Sequence, residues 1–285
     1  MSRVWHITGA NTGLGLEIAL KALAEGDRVI AAVRSPSKVP ESLEREEVRV
    51  LQFDLTWLQP EINEYVEKAF AAFGKIDVFV NTAGYSYMAA IEESEDSAVK
   101  AQFDANVFAY LRLIRAALPN LRTQGTGTII NFSSIGGLLS APTNGIYCAT
   151  KFALEAITQA LNAEIAPFGL NAFVVQPGYF RTSFLTSVVS GTNLAPPLDV
   201  YKGTPAHEAR EALSHYNGNQ PGNPKEGAAR VWEYVADEGL LKGKQKLDRL
   251  PLGKDTGGTY KVLVGELEKT AAEYQEVWES TDFKQ

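Results

Sequence analysis

Short apolar runs alternate with longer amphipathic stretches along the first two thirds of the chain, and this rhythm predicts strands joined by helices. Residues 3–8, centred on Val4-Trp5-His6-Ile7, read as a buried strand, Arg28 to Val33 as a second and Val48 to Phe53 as a third. The second run is continuously apolar, without alternation, as a strand covered on both faces inside a parallel sheet requires. Ile76 to Val80, Thr128 to Phe132 and Leu170 to Gln176 read as further strands, and Leu247 to Leu252 supplies a plausible last strand. Between them Leu16, Ile18, Ala19, Leu20 and Leu23 recur at helical spacing. Residues 58–73 carry a stripe of Leu58, Ile62, Val66, Ala69, Phe70 and Phe73, with Gly74 as the helix stop. A long helix is predicted over 145–168. The pattern predicts an α/β fold, one doubly wound parallel sheet of about seven strands with helices on both faces.

The last third breaks the rhythm. Residues 183–226 have no clean period, and Pro196-Pro197, Pro205 and the run from Asn217 to Pro224 interrupt any long helix. So long a stretch inside a compact domain is usually functional, and here it is expected to be a lid with a short helix or two. Residues 227–285 read as a C-terminal strand and helices, the final helix running from Tyr260 to Trp278 with Val262, Leu263, Leu267, Ala271, Tyr274 and Trp278 on one side. Residues 1–285 are expected to form a single domain.

Composition narrows the partners. A net charge of −7 argues against a nucleic-acid partner, because phosphate contacts need clustered basic residues. No run of about 18 apolar residues appears, so no membrane span is expected. The one cysteine, Cys148, excludes an intrachain disulfide and a Cys-based zinc site; no metal site is expected. No secretory leader is read ahead of Val4, and a cytoplasmic location is expected.

Candidate chemistry lies where predicted strands end. Thr8-Gly9-Ala10-Asn11-Thr12-Gly13-Leu14-Gly15 joins the first strand to a helix. Gly9 suits a tight turn, Gly13 lets backbone approach a pyrophosphate, and Gly15 lets the helix pack on the sheet. The spacing is Gly-x3-Gly-x-Gly, not the commoner G-x-G-x-x-G. At the end of the second strand stand Arg34 and Ser35. An acid there bonds a ribose 2′-hydroxyl, whereas an Arg accommodates a 2′-phosphate, so NADP(H) is preferred over NAD(H). Asp54 and Leu55 can bracket an adenine, and Asn81-Thr82-Ala83-Gly84 is a polar-then-small turn at a strand's carboxyl end. Tyr147 and Lys151 share a helix face, where a cation can favour the phenolate. Taken alone, that pair is close to chance in a chain with eleven tyrosines.

Taken together, Thr8-Gly-x3-Gly-x-Gly15, Asn81-x-Ala83-Gly84, Ser134, Tyr147-x3-Lys151 and Pro177-Gly178 resemble, in order and spacing, the single-domain branch of the short-chain dehydrogenase/reductase family. The resemblance is close over about residues 3–182. It implies a Rossmann-like fold and a catalytic set of Asn106, Ser134, Tyr147 and Lys151. Ser134, and not Ser133, takes the family's serine position; the Ser133 hydroxyl is expected to bond backbone. The cofactor is implied to rest on Gly9, Asn11, Thr12, Gly13, Leu14 and Gly15, on Arg34, Ser35, Asp54 and Leu55, and on Asn81, Ala83 and Gly84. Asn106, Tyr147, Lys151, Pro177, Gly178, Phe180 and Thr182 complete the set, with Thr182 on the nicotinamide carboxamide.

The implied activity is NADPH-dependent reduction of a ketone, or oxidation of the matching alcohol. Tyr147 acts as general acid, Lys151 holds the ribose and lowers the Tyr147 pKa, Ser134 serves the developing oxyanion and Asn106 holds a relay water. The substrate is expected to be a hydrophobic small molecule against Phe184, Leu185, Val188, Val189 and Tyr201, with Tyr85, Tyr87, Met88 and Gly137-Leu138-Leu139 opposite. An isomerase, dehydratase or cyclase on the same scaffold and a non-enzymatic NADP-sensing regulator remain alternatives. By analogy with relatives a homodimer or homotetramer is expected.

Overall fold

Seven strands, β1 (Val4–Thr8), β2 (Arg28–Val33), β3 (Val48–Gln52), β4 (Val78–Asn81), β5 (Gly127–Phe132), β6 (Leu170–Pro177) and β7 (Arg249–Leu252), lie parallel in one sheet. Their order is β3-β2-β1-β4-β5-β6-β7. The computed structural model describes residues 2–189 and 193–283. The chain winds outward from β1 to β3, then returns to the other side of β1 with β4, so the sheet reverses direction between β1 and β4. Open sheets leave a crevice at such a reversal, outside the carboxyl ends of the strands.

Successive side chains of a strand point to opposite faces, and both faces here are covered. On one side Trp5, Ile7, Val29, Ala31 and Val33 pack with Ile18, Ala19 and Ala22 of α1 (Gly13–Ala24) and with Val231 and Trp232 of α8 (Pro224–Ala236). The buried carboxylate of Asp27 joins these layers, accepting from the indole N–H of Trp5 at 2.9 Å and of Trp232 at 3.0 Å. On the other side Val4, Ile30, Ala32, Phe79 and Ile129 pack with α2 (Gln59–Phe73), α4 (Ala109–Gln124) and α5 (Gly145–Ile165). Gly74 ends α2 with φ 77°, the left-handed value that spares a glycine the Cβ penalty. Among the described residues no helix is long and apolar enough to cross a membrane.

Three elements differ from expectation. The long helix stops at Ile165, and a 3-10 turn over Ala166–Phe168 follows, because Pro167 lacks the N–H that would continue it. The helix before α4 is broken: α3 (Asp96–Phe103) runs into a π turn over Asp104–Phe108. The last helix starts six residues earlier than predicted, as α9 (Lys254–Glu273), and gives way to α10 (Gln275–Glu279). Gly257 and Gly258 precede the predicted helix start, yet both sit inside α9 with open space around them. Its apolar stripe is uncovered, with Val262, Leu267, Tyr274 and Trp278 all at least half exposed.

Among its described residues the lid carries helices α6 (Phe184–Val189) and α7 (Pro205–Tyr216). It returns to the segment after β4, where Met88 and Leu194 form a parallel bridge.

Candidate active site

One cavity of about 700 Å³ occupies the crevice and is walled by the segments that follow β1 through β6. Its floor begins at the glycine turn. Gly9 and Gly13 have φ 68° and 58°, conformations L side chains rarely adopt. A Cβ on Gly15 would stand 2.6 Å from the Gly9 carbonyl oxygen, so only glycine lets α1 seat on the turn. The free N–H groups of the first turn of α1 then face the cavity. The Thr8 hydroxyl accepts from the amides of Thr82 (3.0 Å) and Ala83 (3.1 Å), tying the ends of β1 and β4 together.

At one end of the cavity lie Arg34, Ser35 and Lys38 from the end of β2, with Asp54, Leu55 and Thr56 after β3. Asp54 is turned to its own segment, accepting from the amide and the hydroxyl of Thr56, both at 2.9 Å. Arg34 makes no ion pair among the described residues and is exposed. Lys38 was not anticipated; a second cation in the short Pro36–Lys38 turn beside Arg34 was the available signal.

Asn81 is off the wall. Its amide donates to Asn131 Oδ1 at 2.8 Å, and Asn131 donates in turn to Thr158 of α5 at 2.8 Å, so it joins β4, β5 and α5 beneath the cavity. Ala83 and Gly84 do line it. Asn106 is also off the wall, fully buried in the π turn. Its Oδ1 accepts from the Tyr85 amide at 3.2 Å, and its Nδ2 donates to the Tyr85 carbonyl at 2.9 Å and to Thr150 Oγ1 at 3.2 Å. The amide thus clamps the Tyr85 turn to α5. A Cβ on Gly84 would meet Asn106 Oδ1 at 2.8 Å. A π turn recurs at functional sites because it redirects one residue inside a helix.

Ser134, Tyr147 and Lys151 come together at the other end. Lys151 is buried, donates to the Phe132 carbonyl at 2.7 Å and lies 5.6 Å from the centre of the Tyr147 ring. Burial holds the Lys151 ammonium down to a pKa of about 8, against the opposing pull of Glu155. Burial raises the Tyr147 phenol well above its ordinary range, and a hydrogen bond with Ser134 draws it part of the way back. The sign is opposite to that expected from the sequence. The ammonium sits against the ring and bonds a backbone carbonyl, and desolvation dominates. Ser133, expected to bond backbone, is buried, and its hydroxyl has no hydrogen-bond partner among the described residues.

The turn after β6 closes this end. Gly178 donates to the Leu252 carbonyl at 2.8 Å and Tyr179 to Asp255 Oδ2 at 2.6 Å. A Cβ on Gly178 would fall 2.0 Å from Asp255 Oδ1, so a side chain there would have to displace the carboxylate that holds the Tyr179 amide. Thr182 lies over the glycine turn, 3.6 Å from the position of a Cβ on Gly13.

Of the apolar residues expected around a substrate, Tyr85, Leu139, Phe184, Leu185 and Val188 line the cavity, and Leu213 of α7 joins them. Phe184 lies 6.0 Å from the Tyr147 ring. Tyr87, Met88, Gly137, Leu138, Val189 and Tyr201 do not line it. Met88 is committed to its bridge with Leu194, Tyr87 packs against Ala89 and Ala195, and the Tyr201 hydroxyl turns outward to Glu92 at 2.9 Å. Cys148 reaches the cavity, but burial pushes its thiol pKa up, away from a reactive thiolate.

Residues 3–193 match the family model described as short chain dehydrogenase. The chain belongs to the short-chain dehydrogenase family. It is 31% identical to an uncharacterised oxidoreductase, YusZ, of Bacillus subtilis over 258 residues, covering 87% of this chain and 88% of that one. A short-chain dehydrogenase from Streptomyces avermitilis superposes with a TM-score of 0.87 at 30% identity, over 99% of this chain and all of that one. The actinorhodin polyketide ketoreductase with NADPH gives 0.72 at 26% identity, over 88% of this chain and 95% of that one. Family membership makes the protein an oxidoreductase and accounts for the seven-stranded sheet and its crevice.

Proposed function

We propose that this protein reduces a neutral, apolar ketone with NADPH, and oxidises the matching alcohol in reverse, with Tyr147 as general acid. The observation that carries this reading is the polarity of one cavity: Arg34 and Lys38 stand at one end, and Tyr147, Ser134 and Lys151 meet an apolar wall at the other. The cradle fits a dinucleotide, since the missing Cβ of Gly13 and the first turn of α1, seated on the glycine turn by Gly15, suit a pyrophosphate. Arg34 and Lys38 suit a 2′-phosphate, Lys151 the nicotinamide ribose and Thr182 the carboxamide. The ketoreductase relative with NADPH supports the choice of cofactor. When bound, the reduced nicotinamide supplies the hydride.

The chain's own residues do the rest. Burial keeps the Tyr147 phenol protonated at neutral pH, so the donor form is the resident one, and it gives its proton to the substrate oxygen. Ser134, already bonded to Tyr147, donates where negative charge develops. Asn106 fixes the Tyr85 turn and, through Thr150, the start of α5, which keeps the relay water's surroundings and the Tyr147 backbone in register. Phe184, Leu185, Val188 and Leu213 exclude water from the reacting carbon. Around this end the lining carries no carboxylate, which disfavours cationic substrates.

Cys148, buried and unpaired, suits a cytoplasmic setting. Phe108 and Phe152, both nearly half exposed at the start of α4 and on α5, support pairing with a second copy through these helices. The test is NADPH consumption against a panel of aliphatic, steroidal, quinone and polyketide-like ketones, with NADH alongside. Turnover is expected with NADPH, and Tyr147→Phe is expected to lose about 100- to 1,000-fold. Product formed without NADPH consumption would overturn the reading in favour of an isomerase or dehydratase.

A further inference from the structure

Behind Lys151 lies a buried polar cluster that the proposed reaction does not use. Glu155, one helical turn beyond Lys151 on α5, is buried beneath the strand ends. Its Oε1 accepts from Gln176 Nε2 at 2.9 Å and its Oε2 from Arg249 Nε at 3.0 Å. Gln176 is the residue before the Pro177-Gly178 turn, and its side-chain oxygen accepts from the Tyr260 hydroxyl of α9. The Gln176 carbonyl also accepts from Thr256 at 3.3 Å. A Cβ on Gly137 would stand 3.1 Å from Glu155 Oε1 and 2.3 Å from Ser133 Oγ, so that glycine makes room for the carboxylate. One acid thus gathers α5, β6, β7 and α9.

We propose that Glu155 is a positioning residue for the Lys151 ammonium, keeping that buried cation charged while Arg249 sets the strength of the effect. The proposal deepens the reading of Lys151 as the ribose-binding lysine. A buried ammonium loses its proton readily unless an anion is near. Among the described residues Lys151 bonds directly to the Phe132 carbonyl alone, and Glu155, four residues on along the same face of α5 and also buried, is the anion that opposes the burial. Both Glu155 oxygens are occupied by Gln176 and Arg249, so the carboxylate acts on Lys151 through space, and Arg249 offsets part of its field. The titratable groups around the pair are Tyr147 on the same helix, Tyr110 on α4, Tyr179 after β6 and Tyr260 on α9. All four are raised above the ordinary tyrosine range by burial and are neutral near pH 8. Asp255 is engaged with the Tyr179 amide. On this proposal Glu155 and Arg249 act on the Lys151 charge in opposite senses.

Opposite senses give a test that a structural role does not reproduce. The full-length protein, without cofactor, is labelled with 13C at lysine Cε, the Lys151 resonance is assigned with Lys151→Met, and its titration is followed between pH 6 and 11. Glu155→Gln is expected to move the Lys151 midpoint to lower pH by about one pH unit, a roughly tenfold loss of ammonium at the alkaline side. Arg249→Gln is expected to move it to higher pH. A Glu155→Gln midpoint equal to that of the unaltered protein, or shifts of the same sign in both variants, overturns the proposal. Should Glu155→Gln fail to fold by circular dichroism, the Arg249→Gln shift decides alone: upward supports it, none or downward overturns it. NADPH binding against pH on the same samples separates the two readings. A midpoint that moves with Glu155 in a protein that binds no nicotinamide cofactor upholds the positioning role and removes the reductase.

Discussion

Glu93 and Arg210 form a partly buried ion pair between the segment after β4 and the lid helix α7, 117 residues apart in sequence. Glu93 also accepts from the amides of Ala90 at 2.8 Å and Leu198 at 2.9 Å, and Arg210 donates to the Ala195 carbonyl at 2.9 Å. One carboxylate thus fastens the lid in the position that brings Leu213 to the cavity. Removing one partner leaves the other's charge without its counter-ion in a partly enclosed site, typically at about 1–3 kcal/mol. Glu93→Leu and Arg210→Leu are each expected to lower stability in urea unfolding and to raise KM, with the Glu93→Leu/Arg210→Leu double variant less harmed than the sum. Burial pushes the Glu93 pKa up, but the two amides and Arg210 outweigh it and leave it below the ordinary value. A carboxylate lowered in the folded state stabilises above its unfolded pKa and ceases to as pH falls through the folded one, so the latch holds at neutral pH and fails in strong acid.

On the proposed function, Arg34 and Lys38 are the residues that set the cofactor preference. A hydrogen bond to a charged group contributes about 1.5–3 kcal/mol, so Arg34→Ala is expected to weaken NADPH binding roughly 10- to 100-fold and leave NADH nearly unchanged. Lys38→Ala is expected to act in the same direction with a smaller loss. Titration of intrinsic fluorescence with each cofactor checks both. Equal losses for NADPH and NADH would remove the 2′-phosphate assignment.

Two glycine substitutions in this chain have opposite expected signs. Gly15→Ala places a methyl 2.6 Å from the Gly9 carbonyl, so α1 must lift from the turn. Cofactor affinity and stability both fall. Gly257→Ala meets open space inside α9 and is expected to stabilise by about 0.5–1 kcal/mol, because glycine is the costlier residue in a helix interior. Thermal unfolding of both variants beside the unaltered protein reads this directly.

What could be read before the structure was local. Arg28 to Val33 is a strand with the predicted limits, and the residues of the glycine turn, Arg34, Ser134, Tyr147 and Lys151 do meet in one cavity. Each sits at a strand end or on a helix face that a short window of sequence defines. The π turn around Asn106 was not legible, because no local pattern marks it and the Asn106 amide finds its partners at Tyr85 and Thr150, 21 and 44 residues away. Nor was the place of Asn81, which bonds Asn131 instead of facing the crevice. Periodicity in α9 located an apolar stripe but carried no information on whether anything covers it. The Glu93–Arg210 and Glu155–Arg249 pairs join distant segments, and no local pattern marks a charge that will be buried with its partner.

His6 gives the protein a built-in acid sensitivity outside the cavity. It lies on β1, fully buried, with Nε2 2.7 Å from the Tyr65 hydroxyl, its ring 4.8 Å from Phe79, and Nδ1 without a partner. Burial lowers its pKa from 6.5 to about 3, so the ring is neutral in the folded protein through the mildly acid range. The unfolded chain takes up a proton below pH 6.5 that the folded one refuses, and stability falls as pH drops from there toward 3. The slope contributed by one such group is at most about 1.4 kcal/mol per pH unit. His6→Phe keeps a flat ring beside Phe79 and removes the titration, at the cost of leaving the Tyr65 hydroxyl unpaired. That cost does not vary with pH below the tyrosine range, so the comparison rests on slopes and not on absolute stabilities. Unfolding free energies measured by urea at intervals between pH 4 and 8 are expected to diverge, the unaltered protein losing stability faster than His6→Phe below about pH 6.5 and in parallel with it above. Parallel curves throughout would mean that His6 is protonated in the fold or hydrated at Nδ1, and that other groups set the acid limit.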